Sequence, residues 1–268
     1  MASPGNLSLA QEAGARTVTV PAMAADLGIV LQLVPGGEFL RGSAEEVDAD
    51  QPSARSLVDR ERPQREVFVS AFALSRYPVT VAQYAAYQRH LGEYPFPGPG
   101  AGSPDSDWLP ACYVPFYEAV GFCRWLSAQT GVGFRLPTEA GWEKAARGLD
   151  ARTYPWGEEA APGGRCNCAE SACGPTDVRG YPSGASPYGC LDMAGNVWEW
   201  CGDWFDPGYY AEAPAVDPFG PAHGLHRVIR GGAFNSRPEE VRCAVRFYDR
   251  PAGPPFFPCG FRVAMSVG

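Results

Sequence analysis

Residues 191–200, with the sequence LDMAGNVWEW, carry the residue types best suited to binding a metal ion. Asp192 and Glu199 supply carboxylate oxygens on either side of a glycine turn, and that turn could aim the main-chain carbonyls of Gly195 and Val197 at the same point. Ca²⁺ is held by oxygen ligands of these kinds. The spacing therefore predicts a calcium loop. A tight turn ahead of a strand, with Glu199 in a salt bridge, fits the same residues.

Other metal-binding or nucleophilic residues lack a catalytic spacing. The three histidines, His90, His223 and His226, would have to meet from a helix and a loop to hold iron. Residues 166–173 contain three cysteines without the two-pair spacing of a zinc ribbon, so a disulfide or core thiols are expected. The sequence contains no phosphate loop, dinucleotide fingerprint or serine nucleophile elbow. It therefore offers no catalytic constellation of a common type.

Charge and composition exclude several classes of function. The formal net charge is −8 and the basic residues form no cluster, so nucleic-acid binding is not expected. No run approaches the roughly 20 apolar residues that cross a bilayer, and a secretory signal is absent, so we expect a cytoplasmic protein without membrane insertion. Lys144 is the only lysine, an arginine bias that is compatible with a thermophile. The 32 glycines and 27 prolines interrupt the sequence so often that a loop-rich fold is expected.

The sequence predicts three helices in the fold that positions the candidate residues. Thr80 is placed to cap the first of them. Residues 118–128 carry apolar side chains at helical spacing before Gly131, which predicts the second helix. Thr138 caps a short third helix that Gly148 closes.

Short strands make up the rest of the expected fold. Residues 29–34 are strand-like and are stopped by Pro-Gly-Gly, after which 38–42 reads as a return strand that would complete a hairpin. Beyond residue 154, short strands alternate with turns. The pattern predicts an α+β protein with small twisted sheets and two or three short helices. Residues 1–27 are weakly patterned and are expected to form a tail or linker, with the folded domain at 28–268.

Seven separated strings agree, in order, with one known family. The chain resembles the formylglycine-generating, sulfatase-modifying family, whose fold is a variant of the C-type lectin architecture. The strings are LVPGGEF at 33–39, YPVT at 77–80, RLPTEAGWE at 135–143, YPWG at 154–157, GNVWEW at 195–200, RGG at 230–232 and CGFRVA at 259–264.

The resemblance implies a structural calcium ion at the loop already described. Asp192 and Glu199 would bind it by side chain, and Gly195 and Val197 by main chain. A second calcium site of the family would correspond to Asn167 and the carbonyl of Cys168, but its remaining ligands do not align in this sequence.

The sequence departs from the family at the residues that carry the redox chemistry. Oxidase members bind copper(I) through two cysteines five apart, soon after the Arg-Gly-Gly string, because that ion prefers soft thiolates. Here Ser236 stands near the position of the first thiolate and the second has no counterpart. No copper is therefore expected. Cys243 and Cys259 fall on strings that the family uses structurally, and we expect buried thiols there.

The segment 247–258, FYDRPAGPPFFP, places adjacent aromatic residues between prolines. These rings cannot all face one core, so some are expected at the surface, where aromatic residues beside charges are typical of binding sites. The alternative is that the rings pack beneath a long loop.

A branch of the same family matches this arrangement, namely the variable proteins of diversity-generating retroelements. Their C-terminal repeat reads Arg-Gly-Gly and an aromatic, then Arg-Xaa-Ala-Xaa-Arg, then Gly-Phe-Arg, with changeable positions between. The corresponding strings here are RGGAF at 230–234, RCAVR at 242–246 and GFR at 260–262.

The resemblance implies a non-catalytic ligand-binding protein whose variable region spans about 230–264. Its ligand would be an unknown protein or other macromolecule, and the sequence indicates no oligomeric state. A formylglycine-generating-type oxidase or a related sulfatase-modifying enzyme is the alternative. The candidate ligand-binding residues are Phe234, Ser236, Arg237, Phe247, Tyr248, Asp249, Arg250, Gly253, Phe256 and Phe257.

Overall fold

Capped helices and short apolar strands give this chain an α+β fold. The structure is a computed structural model that describes residues 9–12, 15–19, 22–44, 57–93, 106–161, 164–169 and 171–267. The helices are α1 Ala22–Asp26, α2 Val81–His90, α3 Phe116–Thr130, α4 Glu139–Arg147 and α5 Tyr209–Glu212. The strands are β1 Leu9–Glu12, β2 Ala15–Val18, β3 Leu31–Val34, β4 Gly37–Arg41, β5 Arg65–Val69, β6 Phe72–Ser75, β7 Phe134–Arg135, β8 Trp198–Trp204, β9 Arg227–Arg230, β10 Arg246–Asp249, β11 Cys259–Gly260 and β12 Ala264–Ser266. No helix of the described ranges is long and apolar enough to cross a membrane.

The three predicted helices are α2, α3 and α4, and each begins or ends at the predicted residue. The Thr80 hydroxyl accepts a hydrogen bond from the Gln83 amide, and the Gln83 side chain accepts one from the Thr80 amide, which completes a capping box. Gly131 ends α3 with φ 71°, a left-handed conformation that glycine adopts without strain. Thr138 caps α4 by accepting from the Gly141 amide at 3.0 Å.

The strands form three sheets rather than a simple meander. The six-stranded sheet has the order β1-β2-β3-β6-β12-β7, the four-stranded sheet has the order β10-β9-β8-β11, and β4 pairs with β5 alone. The predicted hairpin of 29–34 with 38–42 is therefore wrong, because β3 pairs with β2 and β6 while β4 pairs with β5. The Lys144 ammonium donates to the carbonyls of Pro35, Gly37 and Val69, which links the segment between β3 and β4 to α4 and to the end of β5.

The described part of residues 1–27 packs onto the domain. Strand β2 pairs with β3, with Val18 opposite Leu31. The side chains of Val18 and Ala24 are buried in the same apolar cluster as Leu31. The predicted boundary between tail and domain at residue 27 therefore falls between β2 and β3, which are neighbours in one sheet.

Buried charges fix the start of α4. The Glu139 carboxylate accepts hydrogen bonds from Arg246 at 2.7 and 2.9 Å and from Arg41 at 2.8 Å, and Arg230 lies 3.6 Å away. Burial by itself raises the pKa of Glu139. The attraction of the three guanidinium groups outweighs burial and lowers that pKa to about 2. These pairs join α4 to β4, β9 and β10.

Glu143 extends this network, because residues four apart lie on the same helix face. Its carboxylate accepts hydrogen bonds from Arg230 at 2.6 Å and from Arg147 at 2.9 Å. It also accepts the Gly42 amide at 2.7 Å. The end of β4 and the Arg-Gly-Gly string that follows β9 are thereby held to one helix.

Candidate functional site

A cleft of about 120 Å³ lies where the C-terminal loops meet β8 and the helical turn at 57–60. It brings together three predicted ligand-binding residues, namely Ser236, Phe247 and Phe257. The other lining residues are Leu57, Trp198, Asn235 and Glu240. We call this the aromatic cleft.

Phe247 is the centre of the aromatic wall. Its ring lies 5.8 Å from the Trp198 ring and 5.2 Å from the Phe257 ring, which it meets edge-on. It also stacks on Tyr248 at 5.3 Å, and the Arg60 guanidinium lies 5.0 Å from its centroid. Such ring and cation contacts are favourable, and they leave Phe247 and Tyr248 half-buried.

The tip of the C-terminal loop reaches solvent. Phe256 is 73% exposed, and the Arg250 guanidinium lies 4.3 Å from its ring. Gly253, at φ 77°, has open space where a side chain would stand. Arg237 is exposed as well. The prediction that some aromatic residues of this segment are exposed is confirmed by Phe256.

Asp249 holds the loop instead of facing a ligand. Its carboxylate is 2% exposed and accepts the amides of Arg250 and Phe256, both at 2.7 Å, and of Phe257 at 3.3 Å. The structure therefore corrects its expected role. The residue type suggested a charge at the surface. The carboxylate is instead buried, and it accepts hydrogen bonds from three main-chain amides of the loop.

We expect Asp249→Ala to loosen residues 250–257 and to lower the free energy of unfolding by about 1–3 kcal/mol, because three part-buried main-chain amides then lose a charged acceptor. Chemical denaturation measures the loss. Arg250→Ala is the matched control, since that exposed side chain contributes little. An Asp249→Ala variant as stable as the wild type would show that the hydrogen bonds of Asp249 do not stabilise the loop.

Ser236 is likewise buried, and its hydroxyl accepts the Ala233 amide at 3.1 Å. The side chain lines the aromatic cleft, and its contact with a ligand stays a prediction. Five residues further on stands Val241, which is also buried. A Cβ added to Gly232 would lie 2.6 Å from Val241 and 3.4 Å from Ser236, so the two side chains flank one point. Both side chains at this point are buried, and neither is a thiol.

The structure does not bring together the remaining candidate residues, namely Phe234 for ligand binding and the histidines for metal binding. Phe234 is half-buried, and its amide donates to the Asn196 carbonyl at 3.0 Å. His90 packs on Trp125 and His226 on Tyr248, so the histidines are not brought together. Across the described ranges no group of three or more histidine, cysteine or acidic residues is arranged to hold a metal.

The cysteines are unpaired thiols. None of the nine is in a disulfide, and Cys166 and Cys168 lie 3.6 Å apart, sulfur to sulfur. Cys243 and Cys259 are buried as predicted. Burial raises the pKa of Cys243 to about 12, and burial also raises the pKa of Cys259 well above its usual range, so both are unreactive thiols.

The predicted calcium loop contains two buried carboxylates in unequal surroundings. Glu199 accepts Nε and Nη2 of Arg262, each at 2.6 Å, and the Trp142 indole at 2.7 Å. Asp192 accepts the Asn196 side-chain amide through Oδ2, while its buried Oδ1 has no hydrogen-bond partner in the described structure. Burial raises the pKa of Asp192 to about 7.

The unsatisfied oxygen of Asp192 fits a cation, because a metal ion would neutralise this carboxylate and coordinate Oδ1. Glu199 is already neutralised by Arg262, so the salt bridge that the sequence left open is present. At the second proposed site, the Asn167 side-chain amide donates to Gly174 and its oxygen accepts from Ser171. The residues there do not fit a second ion.

Comparison with known proteins gives a consistent result. Residues 24–267 match the sulfatase-modifying factor enzyme 1-like domain. The formylglycine-generating enzyme of Streptomyces coelicolor is 33% identical, with 81% of this chain and 83% of that protein covered. The serine/threonine-protein kinase pkn1 of Chlamydia caviae is 36% identical over 87% of this chain, which spans only 37% of that protein. The solved Treponema denticola variable protein 1 has the same fold, with a TM-score of 0.73 at 21% identity, covering 98% of this chain and 100% of that one.

Proposed function

Since the chain belongs to the sulfatase-modifying factor enzyme 1-like family, we propose that it is a non-catalytic member whose C-terminal surface binds a macromolecular ligand and is diversified by a retroelement. The observation that carries the proposal is Ser236, which stands near the position that the resemblance gives to the first copper thiolate, while the second thiolate has no counterpart in this sequence. Without soft ligands a copper(I) centre has nothing to hold it. The exposed side chains nearby are those of a binding surface.

The anchoring of residues 230–262 supports diversification. Arg230, Arg246 and Arg262 each begin or end one of the three motif strings, and all three are fully buried. They pair with Glu143, Glu139 and Glu199 respectively. The backbone is thereby fixed at three points, and the loops between those points can change sequence while the frame stays in place. The Treponema denticola protein of the same fold carries the name of a variable protein, which agrees with this proposal.

The gene neighbourhood tests the diversification. We expect a reverse transcriptase gene nearby and an imperfect copy of the last hundred or so bases of the coding sequence. Differences between the copies should fall in codons for exposed or half-exposed positions such as 247, 248, 250 and 256. They should spare the codons of the three buried arginines. A neighbourhood without such a copy would end this part of the proposal.

A copper(I) titration tests the absence of oxidase activity. We expect no tight stoichiometric copper binding at the aromatic cleft and no oxidation of a cysteine-containing peptide. Because Cys166 and Cys168 could bind copper themselves, the titration includes a variant with both changed to serine. Ser236→Cys combined with Val241→Cys serves as the positive control for copper binding. Tight binding with aldehyde formation by the unmodified chain would favour the oxidase alternative.

We also propose that Asp192, Gly195, Val197 and Glu199 bind a structural calcium ion, and the unsatisfied Asp192 oxygen supports this. Chelation should lower the melting temperature, because an ion bound only by the folded state adds about 2.7 kcal/mol at a hundredfold excess over its Kd. Asp192→Asn should abolish the calcium dependence and leave the chelated stability unchanged or higher, since the neutral isostere removes a buried charge. Asp150→Asn, at an exposed carboxylate that does not act on Asp192, is the control. An identical melting temperature with calcium and with chelator, and no metal by elemental analysis, would rule out the site.

A further inference from the structure

A second and larger cleft, of about 330 Å³, lies between α2, residues 111–115, the start of α3 and the C-terminal loop at Pro254. Tyr84 and Tyr113 supply aromatic surface to its lining, and Glu93 and Glu118 supply its only charges. It shares no lining residue with the aromatic cleft. We call it the acidic cleft.

The two carboxylates give this cleft an unbalanced negative charge. Glu118 is half-buried and Glu93 is exposed, and neither makes an ion pair with a residue of the described ranges. No lysine, arginine or histidine lines the cleft. Burial is the larger cause that raises the pKa of Tyr84, and the charges of Glu118 and Glu93 raise it further, which places both carboxylates near that ring.

Tyr113, which lines the cleft, has a strained backbone. This residue has φ 58°, in the left-handed region that bulky residues rarely adopt, and its side chain is 44% exposed. Its neighbours are pinned, because the Ala111 amide donates to Val79 and the Val114 amide to Cys259. Such strain persists only where the surroundings impose it, and it is concentrated at functional sites.

We propose that the acidic cleft binds a small organic cation, an ammonium group carried on an apolar or aromatic body. The Tyr84 and Tyr113 rings would contact the body and attract the charge through their π faces. Glu118, being half-buried, would neutralise the ammonium in surroundings of reduced dielectric. This inference is independent of ligand binding at the aromatic cleft and of any diversification.

Calorimetric titration with 2-phenylethylammonium tests the proposal, with 2-phenylethanol as the neutral isostere. We expect saturable binding of the amine, at least tenfold weaker binding of the alcohol, and weakening by salt. Glu118→Gln should lower the affinity for the amine about tenfold, whereas Glu66→Gln, at an exposed carboxylate outside the cleft, should not change it. Absent binding, equal affinity for the alcohol, or an unchanged Glu118→Gln affinity would overturn the proposal.

Tyr113→Gly separates binding from folding. Glycine accepts the left-handed backbone without strain, so the melting temperature should stay the same or rise, while the affinity for the amine falls several-fold. Ala151→Gly is the matched control, since Ala151 has the same φ of 58° and lies outside the cleft. It should also stabilise the protein but leave binding unchanged. Full affinity in Tyr113→Gly would show that the ring takes no part in binding.

Discussion

Replacing Glu139 with alanine is expected to lower the free energy of unfolding by at least about 3–5 kcal/mol, the cost of breaking a buried ion pair by removing one partner. The substitution leaves Arg41, Arg230 and Arg246 buried around a cavity with one carboxylate fewer. Since whole domains are stable by only about 5–15 kcal/mol, the variant should be largely unfolded or insoluble at 37 °C.

Chemical denaturation followed by tryptophan fluorescence measures this effect. The matched control is Asp150→Ala, which removes a 58%-exposed carboxylate paired with Arg152 and should cost less than about 1 kcal/mol. Glu139→Gln should fall between the two, because the amide fills the space without the charge. Near-wild-type stability of Glu139→Ala would show that the guanidinium groups reach water or other partners.

Replacing Arg262 with methionine is expected to have a comparable effect, again about 3–5 kcal/mol. Methionine fills much of the same volume but leaves Glu199 buried with only the Trp142 indole as a donor. The carbonyls of Ser75 and Leu191, which Arg262 also binds at 2.9 Å, lose their charged donor as well.

Adding Glu199→Gln to Arg262→Met should restore part of the stability, because the unpaired buried charge is then absent. Arg237→Met is the control, since that side chain is 63% exposed and approaches Glu239 only at 4.0 Å. Thermal and denaturant unfolding of the wild type, Arg262→Met, Glu199→Gln and the double variant form a double-mutant cycle. A double variant no more stable than Arg262→Met would place the loss in the carbonyl contacts instead of the ion pair.

The helices could be predicted because their signals are local. Thr80, Gly131 and Thr138 each lie at a helix end, and each acts on main-chain groups within four residues. The pairing of the strands could not be predicted in this way. The expected hairpin at 29–42 does not form, and carbonyls at its predicted turn bind Lys144, which lies more than a hundred residues away in sequence.

The candidate site was predictable as a region and less so residue by residue. The family strings located the C-terminal loops, and the proline-broken aromatic run indicated the exposed Phe256. Residue type alone could not show that Ser236 and Asp249 bind main-chain amides, because that depends on the path of the loop. Leu57 and Arg60 were missed entirely, since a charged, proline-flanked segment carries no signal for packing on distant rings.

The place of β12 in the six-stranded sheet has a consequence for the synthesis of the protein. This strand inserts between β6 and β7, so that residue 264 pairs with residue 74 and residue 135. During synthesis, the main-chain groups of β6 that pair with β12 have no strand partner until residue 266 has left the ribosome. A premature stop or frameshift between codons 230 and 260 removes both this strand and Arg262, so the truncated product cannot close its sheet. Cellular proteases should then degrade the truncated product.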